Sequence, residues 1–174
     1  MLRDLLLVSA FAGAFALHAQ PDSLYVTGAD GSIHAHAVVY PPLQTVERFI
    51  HVGHYAFDTT RMAVRMDFKR GRPSGVFRAY YPDGARMIFA VYGWGSLHGD
   101  WTEYGPTGEI TVKGQYRNGK RDGRWAFRSE GILGRYKDGL KSGKWKYYQD
   151  GKLSRSERYR KDKLRTGSSF FFGL

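Results

Sequence analysis

The side chains best placed for binding chemistry stand in the second half of the chain. Arg124 and Arg128 bracket Trp125 and Phe127, and Lys144 and Lys146 flank Trp145, with Tyr148 two positions further on. Alternate residues of an extended strand share a face. The cations therefore project from one side, and the indoles, joined by Trp101 at the equivalent upstream position, from the other. A cationic stripe of this kind suits an anionic partner: teichoic-type polymer, lipopolysaccharide, phospholipid head groups or an acidic protein. It would serve equally as a solvated face that resists aggregation. Trp101, Trp125 and Trp145 admit two roles, as core residues or as an exposed stacking platform.

Other chemistry finds weaker support. His34 and His36 alternate on a strand-like run and would share a side, with His51 or His54 as a third metal ligand. The chain contains no cysteine, and no carboxylate stands at a telling spacing, so no metal site is expected. The lack of cysteine also excludes disulfides, a thiol nucleophile and lipid attachment through an N-terminal Cys. No acid/base pair, nucleophile motif or phosphate loop is present, and Gly93-Trp94-Gly95 does not open a helix. The chain is expected to be non-catalytic and to need no cofactor.

The elements that must hold these residues follow from composition. The 174 residues include 22 glycines, 12 tyrosines, 11 phenylalanines and 4 tryptophans, a mixture that favours many short strands joined by tight turns. Charge is unevenly spread: residues 21–67 carry five acids and three bases, residues 68–174 carry 10 acids and 23 bases. Within 113–165 there are 18 bases against 6 acids, whereas 87–112 has no Lys or Arg.

From Phe68 onward the chain repeats. Counting an aromatic residue as zero, the first unit places Gly71, Gly75, Phe77, Tyr80 and Gly84 at positions 3, 7, 9, 12 and 16. The second keeps every spacing with Tyr92, Gly95, Gly99, Trp101, Tyr104 and Gly108. The third runs Tyr116, Gly119, Gly123 and Trp125, then reads as shortened by one residue to Phe127 and Gly131. The fourth runs Tyr136, Gly139, Gly143, Trp145 and Tyr148 and closes at Gly151. A fifth starts at Tyr159 with Asp162 in place of the first glycine, and Phe171 is its late aromatic. Glycines at this interval supply turn conformations and would weaken a helix by about 1 kcal/mol each. Each unit is read as one β-hairpin, and the units must lean on one another because a lone hairpin buries too little.

The phrases GQYRNGKRDGRWAF, GRYKDGLKSGKWKYYQDGKL and YYPDGARMIFAVYGWGSLHGDWTEYGPTGE resemble the MORN repeat, and more closely its bacterial variant in proteins labelled antitoxin-like. The resemblance covers about residues 68–167. It implies an elongated, twisted antiparallel sheet that scaffolds protein partners, in some relatives touching phospholipid head groups, with no catalytic residues. The antitoxin label fits poorly with an exported chain.

Export is expected from residues 1–19, where a thirteen-residue apolar run from Leu5 to Leu17 and a small residue at Ala19 read as a cleavable signal peptide. Residues 20–67 read as a small β lead-in, 68–167 as tandem hairpins starting at 68, 92, 116, 136 and 159, and 168–174 as a tail or edge strand. The fold class is all-β. The expected function is an exported scaffold that binds a protein partner or associates with the cell envelope. The alternative is direct binding of anionic polymer or membrane lipid by the basic repeats. Export disfavours nucleic acid, and open sheet edges favour self-association.

Overall fold

The computed structural model describes residues 23–27, 32–42 and 46–165. The proposed signal peptide, the turn at 28–31, Phe171 and the 168–174 tail lie outside them. The described chain forms thirteen strands: β1 (Ser23–Thr27), β2 (Ile33–Val39), β3 (Arg48–Tyr55), β4 (Asp58–Lys69), β5 (Arg72–Tyr80), β6 (Arg86–Gly93), β7 (Ser96–Tyr104), β8 (Ile110–Arg117), β9 (Lys120–Phe127), β10 (Ile132–Lys137), β11 (Leu140–Gln149), β12 (Lys152–Arg160) and β13 (Lys163–Leu164). They pair in chain order as one antiparallel sheet that does not close. The expected all-β architecture of successive hairpins is what is found. The lead-in runs straight into the repeats, with Phe49 of β3 stacked on Phe68 of β4 at 5.0 Å between ring centroids.

The register explains the sequence spacing. In all four complete units the glycine at position 7 is the cross-strand partner of the next unit's leading tyrosine: Gly75 with Tyr92, Gly99 with Tyr116, Gly123 with Tyr136 and Gly143 with Tyr159. Tyr116 and Tyr136 each meet the aromatic at position 9 of their own unit and of the unit before, while Tyr92 meets Phe77 and Tyr159 meets Trp145 of the unit before. Trp101, Tyr116, Trp125, Tyr136, Trp145 and Tyr159 form an edge-to-face ladder with centroid separations of 5.5, 5.2, 6.0, 5.0 and 6.2 Å. Such pairs add about 0.5–1.5 kcal/mol beyond their burial.

A single layer buries large rings only if the backbone makes room. Trp125 lies flat on Gly114 of β8, and Trp145 on Gly134 of β10: a Cβ on either glycine would fall 2.2 Å from the indole. Above the rings, Arg121 sits 4.7 Å from the Trp125 centroid and Lys141 4.5 Å from that of Trp145. The guanidinium and the ammonium themselves lie against the rings as cation–π partners. Trp125 and Trp145 are thereby left only 1% exposed each, and Trp101 is 3% exposed.

The turns interlock the units. Asn118 and Gly119, at φ 50° and 73°, make the tight left-handed turn that joins β8 to β9. The Gly119 N–H then bonds to the Leu97 carbonyl of the previous unit at 2.8 Å. Gly95 reaches Pro73 and Gly139 reaches Arg121 in the same way, each at 2.9 Å. The fifth unit keeps this turn without its glycine. Asp162 adopts φ 62°, its N–H bonds the Lys141 carbonyl, and its carboxylate accepts the Lys141 N–H at 2.6 Å. Aspartate tolerates this conformation better than most residues because its short side chain bonds locally.

One expectation is corrected. The third unit does not lose a residue before Phe127. Phe127 pairs with Val112 and Ile132 in the core-facing row that Ala79, Glu103 and Tyr147 occupy at position 11. Arg128 takes position 12, and the unit shortens in the turn that follows.

Gly134→Ala is expected to cost about 1–3 kcal/mol through overpacking against Trp145, read as a lowered denaturation midpoint. Adding Trp145→Ala should make the alanine at 134 nearly neutral, so the two losses will be far from additive in a double-mutant cycle.

Candidate functional site: an open cationic face

One side of the sheet holds the aromatic ladder, and the other is open. On that open side Arg124, Lys144 and Lys146 are all exposed, as the alternation requires. Register adds partners that spacing alone does not reveal. Arg124 stands directly opposite Arg135, and Lys144 opposite Arg158. Cross-strand neighbours lie about 4.5–5.5 Å apart at Cα, and like charges in that position are destabilising. None of these four side chains has an ion pair among the described residues, whose salt bridges lie elsewhere.

The upstream half treats the same problem differently. Arg65 and Arg78 are also opposite one another, but Arg65 pairs with Asp67 at 3.2 Å and Arg78 lies 5.9 Å from the Phe89 centroid. The β9–β12 face lacks such relief. Asp122, at the β8–β9 end, is engaged by Arg117 at 3.6 Å. The result is a surface with strong positive potential and local repulsion that an anion would remove.

The remaining candidates are dispersed. Arg128 lies just past β9, and Tyr148 follows a bulge near the end of β11, so both sit toward the rim of the face. It is Tyr147, on the ladder side, that carries a cation, with the Arg155 guanidinium 4.1 Å from its centroid. Trp101, Trp125 and Trp145 belong to the core, and their burial leaves no exposed stacking platform at those positions.

His34 and His36 share a side, 6.5 Å apart between ring centroids, but His51 does not join them. His34 Nε2 lies 2.6 Å from the Ser32 hydroxyl, and His36 packs on Tyr55 and Phe57 at 5.6 and 5.4 Å. His51 is core instead: it is 2% exposed, stacked on Tyr40 at 5.2 Å and edge-on to Phe49 and Phe68. Among the described residues no three His, Asp or Glu side chains gather as a metal site.

Burial lowers the His51 pKa from its ordinary value of 6.5, so the folded chain holds the neutral imidazole. Below that pH the unfolded chain binds the proton more readily. The stabilising effect is therefore complete above about 6.5 and is lost as pH falls toward the depressed folded value. His51→Phe is expected to flatten the stability profile across this window, as measured by urea denaturation at a series of pH values. Comparison with models of known protein families and with curated proteins finds no match for this chain.

Proposed function

We propose that this chain is an exported, non-catalytic repeat scaffold that associates with the cell envelope by holding an extended polyanion on the open face of β9–β12. The observation that carries this reading is the pair of unrelieved like-charge contacts, Arg124 with Arg135 and Lys144 with Arg158. A face kept only for solubility works best with both signs of charge interspersed, and it gains nothing from cations placed directly opposite one another. A polyanion turns that repulsion into attraction and releases its own counterions on binding. Supporting the scaffold role are the ladder of self-similar hairpins, the resemblance of the repeat to the MORN family, and a sheet that presents one unbroken face. Supporting export is the apolar N-terminal run.

The test is a double charge reversal, Arg124→Glu with Lys144→Glu. Each repulsive pair becomes attractive, so thermal stability should hold or rise by a few tenths of a kcal/mol per pair. Retention on immobilised long-chain polyphosphate should fall by about tenfold or more, and for the parent protein it should weaken steeply between about 50 and 200 mM salt. Retention indifferent to salt and to the substitutions would defeat the proposal. Capture of a protein from native periplasm that withstands high salt and survives the double reversal would point to a protein partner instead.

A further inference from the structure

A second cluster, well upstream of the β9–β12 face, breaks two local rules at once. At the tip of the β6–β7 hairpin, Trp94 occupies the first turn position with φ 54°, and its side chain is 79% exposed. The equivalent tips carry Arg70, Asn118, Asp138 and Lys161. A bulky aromatic residue in the left-handed region is an outlier, where asparagine or aspartate is favoured. The indole is also the one tryptophan outside the core. Neither property benefits the fold, and strain of this kind concentrates where function needs it.

Beside Trp94 runs a row of three cations. Arg48, Lys69 and Arg72 are successive cross-strand partners on β3, β4 and β5. Lys69 Nζ lies 5.9 Å from the Trp94 ring centroid. The stem of Arg72 passes along Gly95, 3.8 Å from where a Cβ on that glycine would stand. Arg48 and Lys69 also border a shallow groove of about 730 Å³ that includes Ile50 and Ser74. The acid in that groove, Asp67, is already engaged by Arg65 and by the Val76 N–H.

We propose that Trp94 with Arg48, Lys69 and Arg72 forms a binding site for an acidic glycan, a linear chain of uronic-acid pyranoses. The exposed indole offers a flat apolar face on which the C–H face of a sugar ring stacks, and the adjacent ammonium and guanidinium groups take the carboxylates. Cross-strand cations repeat about every 5 Å, close to the length of one pyranose in such a chain and shorter than the phosphate spacing of extended single-stranded nucleic acid. The rim is polar on both sides of Trp94, with Arg70 and Asn118 at the neighbouring tips, and a lone indole in that setting makes a poor bilayer anchor.

The experiment uses hexagalacturonate as the probe and the parent chain beside Trp94→Asn. Asparagine suits this turn, so the variant should fold and melt at the same or a higher temperature. Hexagalacturonate should shield the exposed tryptophan of the parent from acrylamide quenching, while neutral maltohexaose should not. Its affinity, measured by calorimetry, should fall by about tenfold in the variant, as on removal of other stacking aromatics. The proposal is overturned if hexagalacturonate gives no shielding, or if Trp94→Asn leaves its affinity unchanged. It is likewise overturned if oligothymidylate or phosphatidylglycerol vesicles shield the indole better than the uronate does.

Discussion

Laying an indole flat on a glycine of the neighbouring strand is the contact on which the molecule depends. A single-layer sheet has no second sheet or helix to cover its apolar side, so its core must form within the thickness of its own side chains. Gly114 beneath Trp125 and Gly134 beneath Trp145 provide the depth, Arg121 and Lys141 close the top, and the intervening tyrosines close the flanks. A fully buried tryptophan removes roughly 200 Å² or more from water, worth about 5 kcal/mol at ~25 cal/mol/Å². A lone hairpin supplies the indole, its glycine and one flanking tyrosine. The second tyrosine, Tyr136 for Trp125 and Tyr159 for Trp145, comes from the next strand, so each indole stays open on one side until the neighbouring unit docks. Cooperation between units is thus a geometric consequence of ring size against sheet thickness.

The same arrangement frees the other side. Once the ladder supplies the core, the opposite face has no packing duty and can carry residues that local energetics disfavour. It does so in two places. Arg124 with Arg135 and Lys144 with Arg158 juxtapose like charges with no ion pair among the described residues, and Arg48, Lys69 and Arg72 line up across three strands beside an exposed, left-handed Trp94. Local rules broken in an otherwise self-consistent fold are the expected mark of sites shaped by binding. At Arg65 and Arg78, by contrast, nearby groups relieve the repulsion.

The turns add a third constraint, since the N–H groups of Gly95, Gly119, Gly139 and Asp162 each bond a carbonyl of the preceding unit and so tie neighbouring units in register. Asp162 shows that the lock depends on a left-handed turn and a local acceptor more than on glycine itself. Trp145 differs in its polar edge: its indole N–H is buried without a partner among the described residues, whereas those of Trp125 and Trp101 bond the Gln115 carbonyl and Glu103 at 3.1 and 2.8 Å.

Periodicity was enough to read the hairpin array, because spacings of 3, 7 and 9 from each leading aromatic are set by turn chemistry and strand alternation, both local. It also placed Trp125 and Phe127 on one side of β9 and Arg124 on the other. It could not place Phe127 within its row, since the lost residue falls in a turn and only the pairing with Val112 and Ile132 shows it. Nor could it choose between core and platform for the tryptophans, because alternation assigns a side but not what covers it; that was decided by Gly114 and Gly134 on neighbouring strands. The opposition of Arg124 to Arg135, the burial of His51 against Tyr40, and the approach of Lys69 to Trp94 were likewise decided in three dimensions. Turns and faces are properties of a few consecutive residues, whereas partners across strands depend on register, which the whole sheet selects.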